Sequence, residues 1–275
     1  MTKCHYVSMP SIILRRISNV SIYPQFQSKR LLRAEMLEQL RDYPRTIVEL
    51  AFNDFSDGVI SGCEIRWENE ELIVERGMIL YKKKLYFLSE PYALSCKAQD
   101  RMRFLKVRFT EEYQETTKIF GVGEIVLENK EIDLSCELEL CRFYLQEGAK
   151  LRTRYENFED YSTRYDTVNL INTPYAAKVE CTLSPALLIQ YATELVDTVT
   201  SNNIDISFAM NILAQGGVVP IRYIRLYLKM RCKKEFSNMN QYEIYQELLS
   251  VLKELRQENH EIKRQNKRSR EILLV

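Results

Sequence analysis

Asp57-Gly58-Val59-Ile60-Ser61-Gly62-Cys63-Glu64-Ile65 opens the stretch that settles the fold class. Two glycines bracket a short apolar run. Alternating segments follow at Glu64-Ile65-Arg66-Trp67, Leu72-Ile73-Val74-Glu75, Gly77-Met78-Ile79-Leu80 and Lys84-Leu85-Tyr86-Phe87-Leu88. Successive side chains of a strand point to opposite faces, so a period of two marks strands, and the glycines between them mark turns. Short strands that turn every few residues predict a compact β-module.

Strand patterns continue to Leu145, through Phe104–Phe109, Thr116–Phe120, Glu124–Leu127, Ile132–Leu134 and Leu138–Phe143, which predicts a small antiparallel sandwich or barrel. Upstream, residues 1–28 read as extended, with breaks at Pro10 and Pro24. From Ser28 to Phe55 the chain reads as helix in two pieces. Leu31, Leu32, Met36, Leu37 and Leu40 form an amphipathic first piece, and Pro44 fits the first turn of a second, continued by Ile47, Val48, Leu50 and Ala51. Residues 146–182 are mixed, ending in an extended stretch from Tyr175 to Leu183.

Ser184 then offers an N-cap and Pro185 a first helical position. Helices are expected over 185–200, 205–214, 219–231 and from 239 to near the end, with Gly216-Gly217 breaking the middle pair and Ser237-Asn238 capping the last. The fold class is α+β: an N-terminal helix pair and an antiparallel β sandwich or barrel, followed by a C-terminal helical domain that ends in a long polar helix. The expected divisions are 1–57, 58–183, 184–237 and 238–275.

The last helix carries a second signal. Ile244, Leu248, Val251, Leu255, Ile262 and Ile272 fall on one a/d register, interrupted at Glu258, Gln265 and Ser269. Such a stripe predicts either an oligomerisation seam of modest strength, built on Ile244, Leu248, Val251, Leu255 and Ile262, or a helix that projects into solvent. Beyond it, Lys263, Arg264, Lys267, Arg268 and Arg270 are candidate contacts for phosphate or a partner.

Composition narrows the function classes. The 275 residues suffice for one large or two ordinary domains. With 39 basic and 38 acidic side chains, the net charge of +1 argues against whole-protein attraction to nucleic acid or anionic membrane. Local patches remain, at Lys82-Lys83-Lys84, at Arg222, Arg225, Lys229 and Arg231-Cys232-Lys233-Lys234, and on the last helix. No segment has the roughly 18 apolar residues of a membrane span, and no signal peptide is evident, which points to synthesis as a soluble cytoplasmic product.

Seven cysteines (Cys4, Cys63, Cys96, Cys136, Cys141, Cys181 and Cys232) lie at irregular spacings without a CxxC, as small core residues in a reducing compartment would. The only histidines, His5 and His260, have no catalytic motif around them. The carboxylate clusters Glu68-Asn69-Glu70-Glu71, Glu111-Glu112 and Glu159-Asp160 read as solvated loops or strand edges rather than acid–base pairs. Gly121-Val122-Gly123 lacks the third glycine of a dinucleotide loop, and no Walker-type phosphate loop occurs. Tyr223, Tyr227, Tyr242 and Tyr245 sit at helical spacing, as helix–helix packing requires. No catalytic residue, cofactor or metal is expected.

Ser56-Asp57-Gly58-Val59-Ile60-Ser61-Gly62-Cys63-Glu64-Ile65, with Leu72-Ile73-Val74 and Gly77-Met78-Ile79-Leu80, resembles a β-module of tailed-phage baseplate and tail-fibre proteins and of related contractile injection systems. The pattern there is approximately G-V-[IV]-S-G-x-[EQ]-[VI], then [LV]-x-[VI]-x-x-G-x-[IVA]. One departure is Lys82-Lys83-Lys84, where the family often has a glycine in the second turn. The resemblance spans Ser56 to Leu88 only. It implies a non-enzymatic structural subunit of a virion tail or injection baseplate, self-associating as a dimer or trimer and holding fibres or neighbouring tail proteins. The alternative, from the basic C-terminal helices, is a nucleic-acid-associated accessory protein of a mobile element.

Overall fold

The computed structural model describes residues 31, 33–110, 113–114, 119–120, 123–198, 202–236 and 238–272; the side chains of 45, 113–114, 119–120, 260 and 262–272 lie outside the description. The extended stretch expected over 1–28 and the cap at Ser237 fall outside the described residues. The chain divides into two units, one through Ala51 and one from Phe52 onward.

In the first unit, the helical segment around Pro44 is one continuous helix, α1 (Ala34–Ala51), with the proline inside it. Proline lacks an N–H and removes one rung of the helical ladder. Two residues on, the Thr46 hydroxyl donates to the Asp42 carbonyl at 2.9 Å.

The second unit begins with six short strands: β1 (Gly58–Gly62), β2 (Ile65–Glu68), β3 (Glu71–Val74), β4 (Gly77–Tyr81), β5 (Lys84–Leu88) and β6 (Tyr92–Ser95). They form two antiparallel sheets, in the orders β1-β4-β5 and β2-β3-β6. Then come β7 (Met102–Phe109), the short antiparallel pair β8 (Tyr113–Gln114) and β9 (Ile119–Phe120), β10 (Gly123–Glu128) and β11 (Glu137–Tyr144). Strand β7 is central in a third antiparallel sheet, β10-β7-β11. Val59, Leu72, Val74 and Ile79 share one core with Leu105, Val107, Leu138 and Phe143, so the sheets stack as a sandwich without a closed barrel.

Two glycines set how closely the first strands approach. Gly62 has φ +66°, and a Cβ there would lie 2.0 Å from the Arg76 carbonyl oxygen. A Cβ on its ladder partner Gly77 would lie 2.3 Å from Cys63 Sγ and 2.5 Å from the Cys63 backbone nitrogen. Only glycine fits this crossing.

Both tight hairpins in this region place two non-glycine residues at positive φ: Asn69-Glu70 between β2 and β3, and Lys82-Lys83 between β4 and β5. Such two-residue turns favour Asn-Gly, because the left-handed region is costly for a residue with a Cβ. At Lys82-Lys83 the cost is offset by anchoring. The Lys82 N–H donates to Asp57 Oδ1 at 2.8 Å and its Nζ to the Ser135 carbonyl at 2.8 Å, while Lys83 Nζ donates to the carbonyls of Asn53 and Phe55. Lys82-Lys83, which stand where a glycine would ease the turn, are thus tied down by their own side chains.

The remaining chain is helical: α2 (Pro185–Asp197), α3 (Asn203–Ala214), α4 (Ile221–Cys232) and α5 (Gln241–Ile272), preceded by a 3-10 turn at Glu159–Ser162. Pro185 starts α2 as expected, but the buried Ser184 side chain makes no cap bond. Asn202 caps α3, accepting from the Ile204 N–H at 2.9 Å. α5 starts with a reciprocal box rather than at Ser237-Asn238. The Glu243 N–H donates to Asn240 Oδ1 at 2.9 Å, and the Asn240 N–H donates to Glu243 Oε2 at 2.8 Å. The helices share a second core that also takes Phe158, Tyr161, Ile171 and Leu183 from the preceding segment.

Gly77→Ala tests the close crossing. The added methyl meets backbone as well as Cys63, so relief requires the strands to part. The expected loss is about 3 kcal/mol or more by urea denaturation. Gly148→Ala, with nothing within 4 Å of the new Cβ, loses only about 1 kcal/mol from its positive φ.

Candidate functional site

The charged face of the third sheet is the most elaborate polar arrangement among the described residues. Along β7 the residues Leu105, Val107 and Phe109 enter the apolar core. The alternate residues Phe104, Lys106 and Arg108 face the other way, opposite Arg142, Glu139 and Glu137 of β11 in register. Lys106 is fully buried. Its Nζ reaches Glu137 Oε2 at 2.7 Å and Glu128 Oε2 at 3.2 Å, and it donates to the carbonyls of Lys130 and Glu131. Arg108 bridges the same two carboxylates at 2.8 Å each. Arg142 forks onto Glu139 with two bonds of 2.7 Å and lies over the Phe104 ring.

Burial pushes the Glu137 carboxyl up, but the Asp133 N–H with Lys106 and Arg108 outweighs it and holds the group below the usual carboxylate range. Glu128 is also held low, first by its bond from Arg108. Buried charges persist only when paired and hydrogen-bonded, and here each acid has a base against it.

This face floors an open cleft of about 580 Å³. Asn172, Pro174, Cys181 and the α5 start at Asn240-Gln241 form other parts of its lining, and Gln241 Nε2 donates to the carbonyls of Thr173 and Thr182 at 3.4 Å. Chemically, the paired charges make the cleft a positioning surface: Lys106 and Arg108 hold Glu137, and Arg142 holds Glu139. The alternation of β7 is visible in sequence, but the pairing of Lys106 with a glutamate 31 positions on is not, because register across a sheet is a tertiary property.

The other sequence candidates resolve as follows. Glu111-Glu112, Gly121, Cys4 and His5 lie outside the described residues, as does the side chain of His260. Glu68 pairs with Arg66 at 2.9 Å on an exposed edge. Asp160 is engaged by Arg152, whose Nη2 donates to Oδ1 at 2.5 Å, and it also accepts from the Glu156 N–H and the Thr163 hydroxyl. These bonds, the one from Arg152 foremost, pull its carboxyl down to about 2. Six cysteines are free thiols, and burial pushes the Cys63 thiol up to about 11. Among the described residues no group of His, Cys, Asp and Glu is placed to hold a metal, and no helix is long and apolar enough to cross a membrane.

The seam on α5 is placed differently from the expectation. Ile244, Leu248, Val251 and Leu255 are all buried in the helical core of their own chain, beside Tyr191, Leu195 and Phe208. A heptad stripe buries itself against any complementary helix surface, and here α2, α3 and α4 supply it within the same chain. These four side chains are therefore not free to form an oligomerisation seam. The fifth, Ile262, and the bases Lys263, Arg264, Lys267, Arg268 and Arg270 belong to the helical backbone of α5, with side chains outside the description. On α4, Arg225 reaches Glu180 at 3.3 Å and Arg231 reaches the buried Asp205 at 3.2 Å. Tyr227 donates to Asp205 at 2.9 Å and Tyr245 to the Phe158 carbonyl at 2.8 Å, so both tyrosines serve packing as expected.

No protein-family model matches the chain, and no curated protein matches it. Solved structures with a related arrangement include a crystal structure of TssK, at 10% identity and TM-score 0.38, covering 86% of this chain and 72% of that one. Another is the cryo-electron microscopy structure of the type VI secretion system TssK-TssF-TssG baseplate subcomplex, at 9% identity and TM-score 0.37, covering 85% of this chain and 98% of the matched chain.

Asp160 gives a pH test. Its folded value of about 2 lies below the ordinary carboxylate value of about 3.9. The pairing therefore stabilises the fold fully above about pH 4 and is lost as pH falls toward 2. Asp160→Asn is expected to lower stability at pH 7 by about 1–3 kcal/mol and to flatten the decline in melting temperature between about pH 4 and 2.

Proposed function

We propose that the chain is a non-enzymatic structural subunit of a contractile injection or phage-tail baseplate, acting by binding neighbouring subunits. The observation that carries the reading is the β1–β6 module. The motif Gly58-Val59-Ile60-Ser61-Gly62 and its partner Gly77 are used at the crossing that only glycine permits. Val59 is further clamped to a distant segment, its N–H donating to the Pro174 carbonyl at 2.9 Å and its carbonyl accepting from Ala176 at 2.8 Å. A module pinned on both sides in this way suits a rigid mounting part.

The two TssK structures, at TM-scores of 0.38 and 0.37, carry no part of this reading. Attachment of fibres, self-association as a dimer or trimer, and residence in a virion tail or injection apparatus belong to the proposal. With the stripe of α5 buried, self-association uses another surface.

Deleting the gene in its native bacterium, followed by electron microscopy of the sheathed particles it produces, tests the reading. The expected result is tubes without end plates, restored by the intact gene. Particles with complete end plates in the deletion strain would overturn it.

A further inference from the structure

The groove between α3 and α4 has the form of a docking site. Its floor is a rigid aromatic stack. Phe208 lies on Tyr227 with ring centroids 3.8 Å apart and planes 3° from parallel, and Tyr223 lies on Phe208 at 5.7 Å. The Tyr227 hydroxyl, already committed to the buried Asp205, also contacts that of Tyr191 at 3.1 Å. Leu226 and Met230 form one wall and Ile204 and Ser207 another, around a space of about 260 Å³. Leu226 is 50% exposed and Met230 53%, and the outer face of α3 adds Ile206, Met210 and Leu213 to the exposed apolar surface. Methionine is a flexible, polarizable filler suited to surfaces that receive a partner.

Charge indicates which partner. Across 203–214 and 221–234 the sole acid is Asp205, which is fully buried and bonded to Tyr227 and Arg231. Arg222 and Lys229 on α4, and Lys233 and Lys234 just past its end, are exposed. Lys229 meets Glu235 at 2.5 Å, an exposed pair of the kind that contributes little. The surface is thus apolar in its furrow and basic on its α4 side, with no exposed acid on either helix and Glu235, just past α4, beside Lys229. Two such faces repel each other, which disfavours a symmetric pairing of two copies through this groove. A bilayer meets convex or flat surfaces, whereas this site is concave with an aromatic floor. Leu226 and Met230, apolar residues four apart on the α4 wall, match the ridge spacing of an inserted helix.

We infer that the α3–α4 groove docks an amphipathic helix with acidic flanks, supplied by a neighbouring protein. Its leucine-type side chains enter over Phe208 and Tyr223, and its carboxylates meet Arg222, Lys229 and Lys233. The assignment stands on the groove alone, whichever assembly the chain serves.

The probe is a fluorescent peptide of about 18 residues, long enough to hold a helix, with leucines on one face and glutamates elsewhere. A second peptide carries lysine in place of each glutamate. The full chain is expected to bind the acidic peptide at least about tenfold more tightly than the basic one at low salt, with added salt narrowing the gap. Met230→Glu and Leu226→Glu, at half-exposed positions, are each expected to weaken binding about tenfold or more, with melting temperature unchanged. Equal binding of the two peptides, or no effect of Met230→Glu, would overturn the inference. Two further results would also overturn it by assigning the groove elsewhere: a dimer, seen by light scattering, that Met230→Glu dissociates, or co-sedimentation with anionic phosphatidylserine vesicles that Met230→Glu abolishes.

Discussion

The burial of one face of α5 holds the C-terminal half together. Ile244, Tyr245, Leu248, Leu249, Val251, Leu252 and Leu255 are all buried, each contributing on the order of 1.5–3 kcal/mol relative to exposure. The same stretch ties the helices to what precedes them. Tyr245 donates to the Phe158 carbonyl, Lys253 reaches Glu159 at 2.6 Å, and Arg256 reaches Glu194 at 2.5 Å. Glu194 in turn accepts from the Phe158 N–H at 2.6 Å, so one carboxylate on α2 joins the 3-10 turn region to α5. Removing this face of α5 would unmake the core rather than merely free a tail.

The sandwich has a different organising constraint. Its first strands pack at a distance set by absent side chains at Gly62 and Gly77, and its third sheet carries a buried ion network on the face turned from the apolar core. The β-module and this network are rigid for different reasons, one steric and one electrostatic. Both leave the paired charges of the cleft in fixed positions. That rigidity, with an apolar basic-rimmed groove on the helices, fits a part whose work is to hold other parts.

Much of the architecture was legible in the sequence. The Gly-bracketed strands, most of the antiparallel run to Tyr144 and the start of α2 at Pro185 follow from local periodicity and turn chemistry, whereas Ile132–Leu134, expected as a strand, is loop and turn, and β6 was not anticipated. Helix ends shifted by a few residues: α3 starts at Asn203 and α5 at Gln241, because Asn202 and Asn240 make the caps. Pro44 does not divide α1, since a proline costs a helix one rung but need not end it. The a/d stripe of α5 was legible as a stripe but not as to its partner, because helices from the same chain bury leucines as well as helices from another do. The Lys106 network and the α3–α4 groove were hidden for a related reason. Each is built from residues far apart in sequence, and local pattern carries no information on which strands or helices become neighbours.

Hydrogen exchange of the full chain over a wide range of protein concentration tests the central point, that the α5 stripe is satisfied within its own chain. Amides from Ile244 to Leu255 are expected to exchange only through global unfolding, with protection that does not change on dilution. Protection in this stretch that weakens as the protein is diluted would contradict the account, because it would mean that a second chain covers Leu248, Val251 and Leu255.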